Sequence, residues 1–191
     1  MYVTEQFVQS VHMTTQDRRI TKTRKAIYNA FLQLLNQKDY ETITVQEIID
    51  LANVGRSTFY SHYESKELLL NELCKKLFHH LFERIDQLST YDYLAHIFQH
   101  FKKNQDHVSS LLLSKNDYFI RQLRNELEHD VYPMVTDQLI QAHPNIPHSY
   151  LKHLVVSHFI ETLSWWLKNG KSYTGQEVVQ FYLEILYANS K

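Results

Sequence analysis

The scarcity of glycine and proline limits the folds open to this chain. Its 191 residues contain three of each, which is about a quarter of the share that an average protein carries. Sheets and sandwiches need a turn roughly every 8–12 residues, and turns draw on these two residues. An all-β architecture is therefore strongly disfavoured, and long helices joined by short polar connectors are expected.

The composition is that of a globular, intracellular chain. Hydrophobic residues make up 43% and charged residues 21%, which is too apolar for a disordered chain. The longest apolar run, Ile185–Ala188, cannot span a bilayer, and residues after Met1 lack the pattern of a signal peptide. The single cysteine, Cys74, fits a reducing compartment. We expect a cytoplasmic protein that makes no membrane contact.

Positive charge is concentrated near the start of the chain. Five cations lie within eight residues with no acid among them: Arg18, Arg19, Lys22, Arg24 and Lys25. A basic arm of this kind is the electrostatic footprint of a phosphate binder. It is equally compatible with the solvated first turn of a helix, and the net charge of −1 does not favour nucleic acid.

Apolar residues recur at helical spacing over most of the chain. The periodicity predicts nine helices, at about residues 23–38, 44–52, 56–61, 65–88, 92–102, 105–113, 116–142, 148–168 and 175–188. Residues 1–17 show no pattern and are expected to be a flexible leader, in which Met13 offers an alternative translation start. Pro133 falls inside a predicted helix and should kink or split it. The predicted class is all-α.

Residues 44–63 have the layout of a helix-turn-helix. Thr44 and Glu47 form a capping box that opens one short helix, and residues 53–55 interrupt the pattern before a second one. The second helix directs Arg56, Ser57 and Thr58 outward. Arginine can pair bidentately with guanine and a hydroxyl can meet several base edges, so this row suits a major groove.

The segment 52–68, ANVGRSTFYSHYESKEL, closely resembles the TetR family of bacterial transcriptional regulators. That family's pattern reads Ala-Gly-Val-Ser-x-Gly-Thr-Leu-Tyr-x-His-Phe-x-Ser-Lys-Glu-x-Leu, and the resemblance extends over about 18–70. It implies a three-helix DNA-binding head (18–66) on a larger helical body (67–191). Three positions depart from the pattern: Asn53 and Ser57 replace glycines, and Gly55 replaces the usual serine cap.

The resemblance assigns DNA contacts residue by residue. It implies that the following residues face phosphates or base edges: Thr44, Gly55, Arg56, Ser57, Thr58, Tyr60, His62 and Lys66. Thr44 is equally explained as a helix cap. Tyr60 could instead belong to the core, and His62 and Lys66 could be solvated surface.

The resemblance also implies that the last two helices pair with a second copy in a four-helix bundle. The stripe that would line this seam consists of Leu151, Leu154, Val155, His158, Phe159, Thr162, Val178, Phe181, Tyr182 and Ile185. A stripe of this kind can also be internal core. Dimerisation itself is expected because two recognition helices must reach successive major grooves, about 34–36 Å apart.

A small-molecule effector would bind in the region 90–142. The candidate pocket residues are Tyr93, His96, Ile97, His100, Phe101, Phe119, Leu123 and Leu127, and core packing is the alternative for them. His96 and His100 have a spacing able to hold a metal, although pairs arise by chance among twelve histidines. We expect no metal and no cofactor. Cys74 is expected to be buried beside Leu73 and Leu77.

The leading hypothesis is a cytoplasmic, homodimeric, ligand-responsive repressor that binds a pseudo-palindromic double-stranded DNA operator. The alternative is an activator or adaptor whose body binds a protein partner instead of a small molecule. No acid–base pair, phosphate loop or nucleophile constellation stands at a characteristic spacing. We therefore do not expect an enzyme.

Overall fold

The chain folds into helices joined by short connectors. A computed structural model describes residues 15–79, 81, 88–169 and 172–188, and no β-strand occurs within these ranges. The all-α prediction is confirmed. The α-helices are α1 (Thr15–Leu35), α2 (Val45–Ala52), α3 (Arg56–Tyr60), α4 (Lys66–Phe78), α5 (Thr90–Lys103), α6 (Gln105–Leu113), α7 (Asp117–Glu126), α8 (Tyr132–Ala142), α9 (His148–Asn169) and α10 (Gly175–Leu186).

Helices α7 and α8 are continuous through one π-helical turn, Leu127–Val131. Counted as one rod, they leave nine separate helices in the described ranges, the predicted number. The Tyr132 N–H bonds to the Leu127 carbonyl five residues back. Pro133 follows at once in the first turn of α8, where its missing N–H is tolerated. The helix predicted around Pro133 is therefore not split: it changes from α to π geometry just before the proline, and a kink at Pro133 stays a prediction.

Two predicted boundaries are wrong. Helix α1 begins at Thr15, eight residues earlier than expected, because residues 16–22 are exposed and contain a single apolar residue, Ile20, so that no apolar stripe marks them as helical. Most of the expected leader, residues 1–14 with Met13 among them, lies outside the described residues. Helix α4 ends at Phe78, and Leu88 is non-helical and exposed. The signal for this break is Ser89, which caps α5 by accepting a hydrogen bond from the Asp92 N–H.

The first three helices form a head with its own apolar centre. Phe31 of α1, Ile48 of α2 and Phe59 of α3 are fully buried. A short 3-10 helix, Tyr40–Thr42, which the periodicity does not predict, joins α1 to α2. Its Tyr40 ring meets Phe31 edge-on with centroids 6.3 Å apart. This contact fixes the entry to α2 and hence the direction of the recognition helix.

Aromatic rings hold the body together. Phe98 of α5 packs against Phe159 and Trp166 of α9, with centroids 4.8 and 5.8 Å apart. Phe78 of α4 packs against Phe119 of α7 at 5.7 Å. Ring pairs of this kind contribute about 0.5–1.5 kcal/mol each beyond their buried area. The helix that leaves the head is therefore anchored directly in the body.

Polar contacts also join head and body. The Asn116 side chain, at the α6–α7 turn, accepts from the Phe119 N–H at 3.0 Å and donates to Glu41 Oε1 at 3.1 Å. It is the buried polar residue of the described core, 7% exposed. Within the body, the Tyr118 hydroxyl donates to Asn71 Oδ1 of α4 at 3.0 Å, which holds α4 against α7. No helix in the described ranges is long and apolar enough to cross a membrane.

Candidate nucleic-acid interface

A tight turn sets α3 at its angle to α2. Asn53 adopts the left-handed conformation with φ 51° and ψ 52°, a geometry that asparagine accepts more readily than most residues. The Val54 N–H then reaches back to the Ile49 carbonyl at 3.2 Å, and Gly55 caps α3 without a side chain. The asparagine that replaces the family's glycine thus adopts a conformation that glycine also accepts.

Helix α3 has one buried face and one solvent face. Phe59 is fully buried and anchors the helix, which is worth about 1.5–3 kcal/mol for a side chain of this size. Arg56 and Ser57 are exposed and Thr58 is partly exposed. The outward row predicted from the sequence therefore stands clear of the head, as base-edge contacts require.

Tyr60 lies on the surface beside the recognition face. It is 46% exposed, its ring meets Phe59 edge-on at 5.3 Å, and the Arg56 guanidinium lies 6.0 Å from the ring centroid. The alternative that Tyr60 is core does not hold. His62 is partly exposed in the turn after α3. Both residues border the exposed face of α3.

Thr44 caps α2 in the predicted capping box. Its Oγ1 accepts from the Glu47 N–H at 3.3 Å, and Glu47 Oε2 accepts from the Thr44 N–H at 2.9 Å. Lys38 Nζ donates to Glu47 Oε1 at 2.6 Å. The hydrogen bonds from Lys38 and Thr44 lower the pKa of Glu47 to about 2. Thr44 therefore caps α2 and is at the same time exposed to solvent.

Lys66 has a structural role that the resemblance does not indicate. Its Nζ donates to the carbonyls of Ile43 at 3.0 Å and Tyr40 at 3.1 Å, with Glu41 O at 3.4 Å. The ammonium also lies 4.4 Å from the centroid of the Tyr40 ring. Because its three donors face these carbonyls, the partly exposed Lys66 holds the 3-10 helix against α4.

One cation of the basic arm, Arg24, is bound in a cluster of polar side chains, although its own side chain remains 57% exposed. Arg24 donates to Glu72 Oε2 at 2.9 Å and to the Tyr63 hydroxyl at 3.2 Å, and these bonds raise its pKa. Glu72 receives a further bond from Tyr63 and one from Lys76. Arg18, Arg19, Lys22 and Lys25 stay exposed along α1. Sequence patterning gave no sign of this cluster, since its members lie on three different elements.

The residues predicted to line an effector pocket are largely core. Tyr93, Ile97, Phe101, Phe119, Leu123 and Leu127 are at most 1% exposed and pack together. His96 is exposed, and His100 is partly exposed with its Nε2 buried and unpaired. The main clefts of the described residues are lined by other side chains. The assignment of these eight residues to a pocket stays a prediction.

The ten residues predicted to line the dimer seam are divided between the interior and the surface. Leu151, Val155, Phe159, Val178 and Tyr182 of the predicted seam are buried. The remaining five are at least partly exposed, namely Leu154, His158, Thr162, Phe181 and Ile185.

The single cysteine, Cys74, is buried, as expected. In the described ranges no three His, Cys, Asp or Glu side chains come together as metal ligands.

A short helix anchored by one phenylalanine behind a tight turn, with an arginine and hydroxyls facing solvent, defines a helix-turn-helix DNA-binding protein. Residues 27–73 match the family described as bacterial regulatory proteins, tetR family. Residues 89–187 match a family described as a transcriptional regulator C-terminal region. The two matches follow each other along the chain, separated by residues 74–88, and the second alone covers about half of the chain.

Solved and curated relatives agree with these matches. The crystal structure of a TetR transcriptional regulator from Streptococcus agalactiae 2603V is 50% identical, with a TM-score of 0.78 over 90% of this chain and 97% of that one. The uncharacterized HTH-type regulator YxbF of Bacillus subtilis is 43% identical over 70 residues. DhaS of Lactococcus lactis, named as the dhaKLM operon transcriptional activator, is 26% identical over 114 residues.

The matches to the two curated relatives cover only part of each protein, less than two thirds of the relative's length in both cases. The alignments span 34% of this chain and 18% of YxbF, and 58% of this chain and 61% of DhaS. The Streptococcus structure, in contrast, corresponds over nearly its whole length. The chain belongs to the TetR family of bacterial transcriptional regulators, and it is a DNA-binding helix-turn-helix regulator.

Proposed function

We propose that the chain works as a homodimer that binds a pseudo-palindromic operator and represses transcription until an effector binds its body. The observation that carries the DNA-binding part is the exposed row of Arg56, Ser57 and Thr58 behind the buried Phe59. One head covers one half-site, so a second copy is needed for the second half-site about 34–36 Å away.

Within the head, the contacts divide into two kinds. Arg56, with Ser57 and Thr58, reads base edges, because these side chains point away from the protein. Thr44, Gly55, Tyr60 and His62 lie around this row and contact the DNA backbone, which positions α3 without reading sequence. The exposed cations of α1 add attraction to phosphates.

An apolar face on α9 and α10 supports the homodimer. Leu154, Trp165, Phe181 and Ile185 are 43%, 42%, 36% and 66% exposed, and a groove of about 340 Å³ runs between the two helices beside His158 and Thr162. A contiguous exposed apolar surface marks an interaction site. A two-fold contact buries the same face on both copies.

The sign of regulation follows from where the operator lies. The repressor proposal is that a dimer bound across a promoter blocks RNA polymerase. The likeness to DhaS, named as a transcriptional activator, favours the second candidate, in which the body recruits a protein partner. In vitro transcription from a template with the selected operator separates the two, because a repressor lowers transcript yield and an activator raises it.

The test of the core proposal is binding-site selection from random DNA with the purified chain. The expected result is an inverted repeat with half-sites one helical turn apart, bound by a dimer. A folded protein that selects no sequence at low salt would refute DNA recognition by α3. Selection of a single half-site by a monomer would instead refute the dimer while leaving the head assignment intact.

A further inference from the structure

A cleft of about 540 Å³ opens between α6, α7 and α9, a size in the range of ligand pockets. We call it the α6–α9 cleft. Its apolar lining comes from the last turn of α6, one residue of α7 and two of α9: Leu112, Leu113, Ile120, Ile160 and Trp165. Leu113 and Trp165 are 47% and 42% exposed. The cleft therefore presents an apolar wall to solvent.

Three cations surround this wall. Lys115 comes from the α6–α7 turn, Arg124 from α7 and Lys168 from the last turn of α9. Within the described part of the chain their side chains make no hydrogen bond or ion pair, whereas Arg24 and Lys76 both bind Glu72. Unpaired cations beside apolar surface are arranged to receive an anion that carries an apolar group.

The acids of the cleft do not cancel this charge. Asp117 and Glu161 also line it, which leaves three positive groups against two negative ones. Asp117 is shared with a second cleft, between the α6–α7 turn and the head. Glu161 is shared with the groove between α9 and α10. Lys115, like Asp117, also lines the second cleft, whereas Arg124 and Lys168 line only the α6–α9 cleft among the clefts described.

The backbone at Lys115 adds an independent observation. Lys115 has φ 53°, the left-handed position that ends α6, with its N–H bonded to Leu112 O and the Asn116 N–H bonded to Leu111 O. This is a Schellman ending, in which glycine usually fills the left-handed position. A lysine costs free energy there, and such strain is typical of functional sites.

We propose that the α6–α9 cleft binds the effector, an amphipathic anion with a carboxylate or phosphate ester held by Lys115 and Arg124 and an aliphatic or aromatic body against Trp165 and Ile120. The inference rests on the proposed function only in calling this ligand the effector. Binding itself requires nothing from the DNA-binding head.

The α6–α7 turn connects the cleft to the head. Lys115 lines the cleft, and the next residue, Asn116, bonds Glu41 of the head at 3.1 Å while capping α7. An anion that draws Lys115 toward Arg124 shifts the turn that carries the Asn116–Glu41 bond. Trp165 and Glu161, which line both this cleft and the α9–α10 groove, give the ligand a second contact with the proposed dimer face. Ligand binding thus favours one placement of the heads over another.

The direct test is calorimetric titration of the full chain with octanoate and octyl phosphate, with octanol and inorganic phosphate as the matched probes. Either amphipathic anion should bind at least about tenfold more tightly than octanol and inorganic phosphate. Lys115→Gly and Arg124→Gln should each weaken that binding about tenfold. Lys103→Gln removes an exposed cation of α5 and should leave binding unchanged. Lys115→Gly should at the same time raise the urea midpoint, which rules out misfolding as the cause.

The outcomes are decisive for the cleft. Equal binding of octanoate and octanol, or anion binding that Lys115→Gly and Arg124→Gln leave intact, would overturn the site. Tight binding of inorganic phosphate would overturn the amphipathic ligand class. These measurements contain no DNA, so failure of operator binding cannot be mistaken for failure of the site.

Coupling is tested separately on the selected operator. Octanoate or octyl phosphate should weaken operator binding by the wild-type chain, and Glu41→Ala should reduce that effect without changing the affinity for the anion. An effect that persists in full in Glu41→Ala would refute the route through Asn116. An anion that binds the cleft and leaves operator affinity unchanged would refute its role as effector.

Discussion

Glu72 of α4 and Arg24 of α1 form an ion pair at 2.9 Å, and Tyr63, just after the recognition helix, donates to the same carboxylate oxygen at 2.8 Å. Lys76 binds the other oxygen at 2.6 Å. The carboxylate thereby ties three parts of the chain together: the helix with the basic arm, the end of the helix-turn-helix and the helix that enters the body. The cluster is therefore a direct polar link between α4 and the head.

The first prediction concerns the stability of this cluster. Burial raises the pKa of Glu72, but hydrogen bonds from Lys76, Arg24 and Tyr63 outweigh it and lower the pKa below its usual value. The folded carboxylate therefore stabilises the protein above the unfolded pKa, and this contribution disappears as pH falls through the folded one. Glu72→Gln should lose about 1–3 kcal/mol of unfolding free energy at pH 7.

Urea unfolding at pH 7 and below pH 4 checks this prediction. The difference in unfolding free energy between wild type and Glu72→Gln should narrow as the pH falls through the lowered pKa of the folded state, because the wild-type carboxylate becomes protonated there. Glu64→Gln, which neutralises an exposed carboxylate between α3 and α4, serves as the control. A gap that is the same at both pH values would contradict a stabilising charged Glu72.

The second prediction separates base reading from phosphate attraction. Arg56→Ala should reduce discrimination at one or two base pairs by about 1–3 kcal/mol, because only a side chain in the groove distinguishes bases. Lys22→Ala should weaken operator and random DNA equally and reduce the salt slope by about 1. Fluorescence anisotropy at several salt concentrations measures both. Identical behaviour of the two variants would contradict the assignment.

The third prediction replaces the phosphate role that the resemblance implies for Lys66. Removing its bonds to the Ile43 and Tyr40 carbonyls should cost about 1–3 kcal/mol of stability in Lys66→Met. Thermal or urea unfolding measures this loss, with Lys75→Met, an exposed lysine of the same helix, as control. Unchanged stability together with uniformly weaker DNA binding would restore the phosphate role.

The fourth prediction concerns the reactivity of the single thiol. Burial raises the pKa of Cys74 to about 12, and the side chain is 3% exposed. Because the thiolate is the reactive form, alkylation by iodoacetamide at pH 8 should be at least about a thousandfold slower in the folded chain than in urea. Mass spectrometry over time gives both rates. Comparable rates would show that α4 opens readily at this position.

The fifth prediction tests the dimer face. Ile185→Lys places a charge on the most exposed apolar residue of that face, at 66%, and should convert a dimer to a monomer in sedimentation velocity. Leu68→Lys introduces the same charge at an exposed leucine of α4, 39% exposed, and should leave the dimer intact. Dissociation by both, or by neither, would place the interface elsewhere.

Local rules account for what the amino-acid sequence predicted correctly. Few glycines and prolines, apolar residues at helical spacing and the Thr44 capping box concern residues within about one or two turns of each other. The left-handed Asn53 and the change of helix geometry before Pro133 are of the same kind, because each concerns the backbone next to the residue. For this reason the helix count and the recognition helix could be predicted without coordinates.

The side chains whose contacts the sequence did not predict are those whose partners are distant in the chain. Lys66 bonds carbonyls 23 and 26 residues away, and Arg24 bonds a carboxylate 48 residues away. A long cation is equally compatible with solvent, phosphate or a carbonyl, and the choice depends on which segment folding brings within about 3 Å. Periodicity was also insufficient for Tyr93 and Leu123. It predicts that such residues lie on the inward face of a helix, but it cannot distinguish a packed core from a ligand pocket. The α6–α9 cleft exists only where three helices meet, because its cations become neighbours by packing and not by spacing along the chain.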